Sequence, residues 1–170
     1  TAYYPTIESA ISQMSDGSKM VLLQDAGEIL VDNSRNGNYS IDLNGHVASA
    51  ITYKGSGSLA VSNGYIEGTC DTARKAPAIQ GSTGSLQLED LSIEALAVNG
   101  ECAGVSVEGA GSTTLSHCSI RVIAESSDVS LDAYGILAST ASSVSLQQSR
   151  IEINTNSPDV SITDVNLKSA

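Results

Sequence analysis

A six-residue pattern that recurs along the chain constrains its fold more than any other feature. The pattern reads apolar, polar, polar, small or apolar, polar, apolar, and it occupies residues 61–66, 88–93 and 115–120, a constant offset of 27. It returns at residues 146–151 with an offset of 31, and at residues 162–167 with an offset of 16. A period of this length, built from short alternating segments, indicates a solenoid of stacked strands.

Further short segments at residues 78–79, 104–105 and 135–136 precede the copies that begin at residues 88, 115 and 146, and each segment ends nine or ten residues before its copy. Each repeat therefore contains several short strands, separated by Gly, Ser, Thr and Asn turns. We interpret one repeat as one coil, which buries its apolar face only by stacking on its neighbours. Aligned residues in stacked coils lie about 4.8 Å apart and form ladders.

The constant offset predicts which side chains share a ladder. The first inward ladder contains Val61, Leu88, Leu115 and Leu146, and the second contains Ile66, Ile93, Ile120 and Ile151. The same offset places Cys118 next to Leu91 in an inward column, so we expect Cys118 to be a buried free thiol.

The domain organisation follows from these repeats. We expect one β-helix domain over residues 1–170, with an N-terminal cap over 1–18 and stacked coils over 20–168, the earlier ones shorter than the later ones. Ile7, Ala10, Ile11 and Met14 recur at helical spacing, so the cap is predicted to contain a helix over about residues 6–14, with Thr6 as its N-cap. We expect the chain to be a fragment of a longer protein.

Composition excludes several classes of partner. Eight basic and nineteen acidic residues give a net charge of -11, which repels nucleic acid and anionic membrane surfaces. No apolar run approaches the roughly 20 residues that span a bilayer. Three cysteines are too few for a disulfide scaffold, and no Cys or His spacing is typical of zinc. We therefore expect no nucleic-acid partner, no membrane insertion, no metal and no cofactor.

One outward column carries charge: Glu67, Glu94, Arg121, Glu152 and Lys168 each follow an apolar pattern in register. The alternating signs favour a ladder of ion pairs on a solvated face. A second hypothesis takes Glu67 and Glu94, like charges one coil apart, as an acid and a nucleophile or as a cation site. His46 and His117 have no Ser, Cys or Asp at a catalytic motif spacing, so we assign no catalytic residue.

Two further side-chain features bear on function. Cys70 and Cys102 follow Glu67 and Glu94 into loops at about the same corner of neighbouring coils, so position alone leaves their pairing open. Outward Tyr65 offers an aromatic face of the kind that sugars pack against, although a chain without Trp or Phe is a poor candidate for an aromatic sugar cleft.

The repeats also resemble a known family. Tyr-Gly-Ile at residues 134–136 and VSLQQSRI at 144–151 resemble coils of the pectin lyase-like superfamily, and TIESAI at 6–11 with VLLQD at 21–25 and IDLNGH at 41–46 is similar to the first coils of repeat modules in Gram-positive surface proteins. The resemblance implies an all-β fold, a right-handed single-stranded parallel β-helix with a short N-terminal capping helix. Coils of this superfamily often stack asparagines at one turn position, and the matching column here, the turn ladder, contains Asn63, Asp90, His117, Gln148 and Asp164. The calcium-binding carboxylates of pectate lyases and the clustered Asp of polygalacturonases are not found in the sequence.

From the resemblance we expect an extracellular location, at a bacterial cell surface or secreted, which favours pairing of Cys70 with Cys102. The expected function is that of a non-catalytic adhesion or spacer module, which acts as a monomer and binds a host or bacterial surface glycan or protein. The alternative is a fragment of a polysaccharide lyase or glycoside hydrolase of the same fold.

Overall fold

The computed structural model describes residues 2–32, 34–71, 73–81, 83–98, 100–124, 131–139, 141–155 and 160–168, with backbone alone for residues 131 and 160–168. Within these ranges a helix, α1 (Ile7–Gln13), precedes a series of strands. They are β1 (Lys19–Val21), β2 (Ala26–Val31), β3 (Asn38–Asp42), β4 (Val47–Tyr53), β5 (Ser58–Cys70), β6 (Ser85–Ala97), β7 (Glu101–Val107), β8 (Ser112–Ser116), β9 (Ser119–Ala124), β10 (Leu131–Ser139), β11 (Ser143–Gln147), β12 (Arg150–Thr155) and β13 (Val160–Lys168).

These strands stack in parallel into a β-solenoid of about three turns, which confirms the all-β prediction. The first face stacks β1, β3, the first half of β5, the first half of β6, β8 and β11. The second face stacks β2, β4, the second halves of β5 and β6, β9 and β12. The third face contains β7, β10 and β13.

The N-terminal helix begins where the sequence predicts. Thr6 is its N-cap: the Thr6 hydroxyl accepts a hydrogen bond from Ser9 N at 3.2 Å, and Ser9 Oγ accepts one from Thr6 N at 3.3 Å, which forms a reciprocal capping box. Ile11 is buried in the main core, and the helix lies against β2. The Arg35 guanidinium donates to the carbonyl of Met14, so a loop one coil later satisfies the end of the helix.

Both inward ladders occur in the predicted register. Leu88 pairs with Val61 on one side and with Leu115 on the other, and Leu146 follows Leu115. Ile66, Ile93, Ile120 and Ile151 pair in the same way on the second face. Leu146 differs from the rest of its ladder because it is 42% exposed. Among the described strands, β8 stacks on one side of β11 and none stacks on its other side, so Leu146 has ladder packing on one side only.

The turn ladder marks the bend between the first and second faces. Asn63, Asp90, His117 and Gln148 all adopt left-handed backbone conformations, with φ between 48° and 60°, and Asn44 does the same one coil earlier. This conformation favours Asn, Asp and Gly, because other side chains crowd the following carbonyl. Each coil therefore bends at the same point, so successive strands stay in register.

The fifth copy of the pattern lies on a different face from the other four copies. The predicted places of Asp164 and Lys168 require residues 162–167 to stack on residues 146–151. Instead β13 pairs with β10 on the third face, with Ile162 beside Ala133 and Lys168 beside Ser139. An offset of 16 is too short to complete a coil whose step is 27 or 31. Asp164 therefore falls outside the turn ladder, between residues that pair with Tyr134 and Ile136, and Lys168 falls outside the charged column.

The coils widen along the chain. Lys19 pairs with Ser40, a step of 21 along the sequence, whereas Ser58 pairs with Ser85, a step of 27. The change occurs at β4, which pairs with β5 only near its start. Ile51 N instead donates to Pro77 O at 2.7 Å, so the end of β4 supports the chain that begins the third face.

Candidate functional site

The outer side of the second face carries the predicted charged column. Glu67 pairs in register with Glu94, Glu94 with Arg121, and Arg121 with Glu152, so four side chains project from successive strands. The apolar residues that precede them are largely buried, which forces these positions outward. Arg121 Nη1 lies 3.0 Å from Glu94 Oε2 and forms an ion pair on this exposed surface.

The column is not one continuous ion ladder. Glu152 is paired with Arg150 of its own strand, and Glu152 Oε1 accepts a hydrogen bond from the Asn154 side-chain amide at 3.0 Å. The Asn154 hydrogen bond and the Arg150 charge hold the pKa of Glu152 below its usual value. The charged column therefore divides into two separate ion pairs, Glu94 with Arg121 and Glu152 with Arg150.

Glu67 lies at the other end of the column. Its carboxylate makes no hydrogen bond or ion pair with any residue that the structure describes. Tyr65 projects on the same side of β5, two residues earlier, and is 46% exposed. Ser92 and Glu94 lie beside these two residues on β6. An exposed phenol ring, a free carboxylate and a free hydroxyl thus occupy neighbouring positions of one sheet surface.

Both histidines have carboxylate neighbours that no catalytic motif spacing reveals. His46 Nδ1 lies 3.4 Å from Asp25 Oδ1, and His117 Nδ1 lies 3.8 Å from Asp90 Oδ1. Each histidine follows its aspartate by one local coil step, so it stacks on the aspartate of the coil before it. The coil step could therefore have revealed these two Asp–His contacts in the sequence. Asp25 Oδ1 also accepts from Val47 N at 2.9 Å, so it joins neighbouring coils.

The structure joins Cys70 and Cys102 in a disulfide, with their Cα atoms 5.4 Å apart. Cys70 ends β5 on the second face and Cys102 lies in β7 on the third face, so the bond closes a corner of the solenoid. Cys118 is a buried free thiol that contacts the Leu91 backbone, as the sequence predicts. Burial raises the pKa of the Cys118 thiol, which disfavours the reactive thiolate.

A polar cluster that the sequence analysis missed lies next to the disulfide. Arg74 is paired with Glu28, whose Oε1 also accepts a hydrogen bond from Thr52 Oγ1 at 2.7 Å. The Thr52 hydrogen bond, followed by that of Arg74, lowers the pKa of Glu28. Lys75 Nζ lies 3.1 Å from Glu101 Oε1. The basic pair Arg74 and Lys75 therefore fastens the start of the 73–81 segment to neighbouring strands.

Neither a metal site nor a membrane-spanning helix occurs in the described part of the chain. Its His, Cys, Asp and Glu residues form no group of three placed to hold a metal ion. None of its helices has the length and apolar character that a membrane crossing requires.

The fold and this surface define a class of protein, a parallel β-solenoid with an internal disulfide and one charged, partly aromatic outer face. Comparison with protein families, with curated proteins and with solved structures gave no match.

Proposed function

We propose that this chain is a non-catalytic extracellular module of a bacterial surface protein that acts in adhesion, its stacked coils also serving as a rigid spacer. Its partner would be a glycan or a protein of a host or bacterial surface. We further propose that it is a right-handed member of the pectin lyase-like superfamily, on the basis of the coil resemblance described above.

The extracellular location is supported by the Cys70–Cys102 disulfide. Structural disulfides persist in oxidising compartments and are rare where glutathione and thioredoxin keep thiols reduced. The acidic charge of -11 fits a solvated surface module that stays monomeric by self-repulsion.

The observation that carries the non-catalytic proposal is the pairing within the charged column. Glu94 is paired with Arg121, and Glu152 with Arg150 and Asn154. A retaining or inverting glycosidase needs two carboxylates aimed at one bond, one of them with a raised pKa. Here Glu152 has a lowered pKa and is paired within its own strand, and Glu94, the neighbour of Glu67 in register, is paired with Arg121 of the next strand.

The test is incubation with polygalacturonate, alginate, glycosaminoglycans and mucin glycans, with and without calcium. We expect no new reducing ends and no unsaturated products from these glycans, while the immobilised protein retains cell-wall fragments. Product formation abolished by Glu67→Gln or Glu94→Gln, and preserved in the control Gln87→Ala on the first face, would overturn the proposal. That result would support the alternative, a polysaccharide lyase or glycoside hydrolase fragment.

A further inference from the structure

Four side chains form a compact patch at the Glu67 end of the charged column. The Tyr65 patch consists of Tyr65, Glu67, Ser92 and Glu94, two from β5 and two from β6. Register places Ser92 beside Tyr65 and Glu94 beside Glu67, about 4.8 Å apart, and residues two apart on one strand are about 7 Å apart. The patch is therefore a rectangle about the size of one sugar ring.

Of the four polar groups in this patch, only the Glu94 carboxylate has a side-chain partner among the described residues. Glu94 is neutralised by Arg121 at 3.0 Å. Glu67, the Tyr65 hydroxyl and the Ser92 hydroxyl make no side-chain contact of this kind with any described residue. The patch thus presents one uncompensated negative charge beside an exposed aromatic ring, together with two free hydroxyls.

Charge decides which ligand such a surface accepts. A carboxylate next to the face of a tyrosine ring attracts an ammonium group, because the ion pair and the ring quadrupole act in the same direction. Uronates, sulfated glycans and sialic acids carry the same sign of charge as Glu67 and as the whole chain, at -11, so they are repelled.

We infer that the Tyr65 patch binds an amino sugar with a free ammonium group, within a cationic polysaccharide of a partner surface. The ammonium group pairs with Glu67, the C–H face of the sugar ring packs on Tyr65, and a ring hydroxyl donates to Ser92. This inference rests on the proposed adhesion function and names the ligand class at one of its surfaces.

The experiment compares two probes that differ in whether the amine is free or acetylated, glucosamine hexamer and N-acetylglucosamine hexamer. Binding to the whole chain is measured by calorimetry at low and at physiological salt. We expect glucosamine hexamer to bind about fivefold or more tightly than the acetylated probe, with affinity falling as salt rises. Polygalacturonate serves as the anionic probe and is expected not to bind.

Four variants locate the site. Glu67→Gln is expected to remove the preference for the free amine, and Tyr65→Ala to weaken binding of glucosamine hexamer about fivefold. The matched controls are Glu89→Gln, an exposed carboxylate of the first face, and Tyr3→Ala, an exposed tyrosine near the N-terminus. Both controls are expected to bind like the unchanged chain. Circular dichroism confirms that each variant is folded.

The possible outcomes separate this inference from the function on which it rests. Equal binding of the two hexamers, or equal loss in Glu67→Gln and Glu89→Gln, would overturn the amino-sugar site. If the chain still adhered to cell-wall material and the Tyr65 and Glu67 variants did not affect it, adhesion would stand and this site would fall. Turnover of either hexamer would overturn both.

Discussion

At the scale of single residues, close approach of neighbouring coils explains several glycines that the repeat pattern does not include. Gly57 and Gly84 both precede the first face, and Ser85 N donates to Gly57 O at 2.8 Å. A Cβ atom at Gly84 would lie 2.3 Å from the Gly57 carbonyl oxygen. Backbone of one coil therefore rests directly on backbone of the next at this corner.

Gly84→Ala should destabilise the protein by about 1 to 3 kcal/mol, because the coils must separate to admit the methyl group. The matched control is Gly27→Ala, since a Cβ atom there meets nothing within 4 Å. Unfolding in urea measures both variants. We expect no loss of stability in Gly27→Ala, and equal midpoints for the two variants would contradict the close approach.

At the scale of elements, the fold depends on aligned apolar side chains of neighbouring strands. Leu115 of β8 is fully buried between Leu88 and Leu146, whereas Leu146 of β11 has a described strand on one side only. The same residue type in the same ladder therefore occupies two different environments. This difference separates the effect of burial from that of side-chain chemistry.

Leu115→Ala should cost about 2 to 5 kcal/mol of unfolding free energy, the usual range for a fully buried leucine. Leu146→Ala should cost less than about 1 kcal/mol, because part of its side chain already contacts water. Chemical denaturation of both variants tests the register. A larger loss in Leu146→Ala than in Leu115→Ala would show that the ladder is wrongly aligned.

At the scale of the whole molecule, covalent and electrostatic links join coils that are distant in sequence. The disulfide connects residues 32 positions apart, and aspartates bond to groups one coil later, as Asp42 does to Asn63. Lys19 Nζ lies 3.1 Å from Asp42 Oδ2 and is the largest cause of the lowered pKa of this carboxylate.

Thiol titration tests the covalent link. Of the three cysteines in the sequence, one should react in the denatured, unreduced protein and three after reduction. Reduction should lower stability by about 3 to 4 kcal/mol in the chain-entropy model, because a loop of this length is no longer closed in the unfolded chain. Three reactive thiols before reduction would refute the bond.

The pH dependence of stability tests the electrostatic links. Asp42 and Glu28 have lowered pKa values in the folded protein, so they contribute stability above their unfolded pKa values. This contribution should be lost as pH falls below about 4, through the folded pKa values. Asp42→Asn should flatten the loss, as measured by urea midpoints on acidification from neutral pH. An unchanged pH profile in Asp42→Asn would contradict a stabilising role for this carboxylate.

The coil step, the inward ladders and the capping helix were predictable from sequence because they depend on local periodicity. A buried position such as Leu115 must be apolar in every coil, and a left-handed turn favours residues such as Asn63. Both kinds of position therefore recur in the sequence at the coil step. The buried thiol of Cys118 followed from the same arithmetic. The positions of Glu67, Glu94, Arg121 and Glu152 in the charged column were predictable for the same reason, whereas that of Lys168 was not.

The tertiary structure decided the features that depend on the number of residues that connect one face to the next. Residues 162–167 fit the apolar pattern, yet β13 stacks on β10, because the connecting segment is too short for a full coil. Side-chain geometry also decided the ion pairs. Glu152 pairs with Arg150 and not with Arg121, Arg74 pairs with Glu28, and Glu67 has no partner among the described residues. Periodicity determines which residues face outward, and only the folded chain determines which of them find partners.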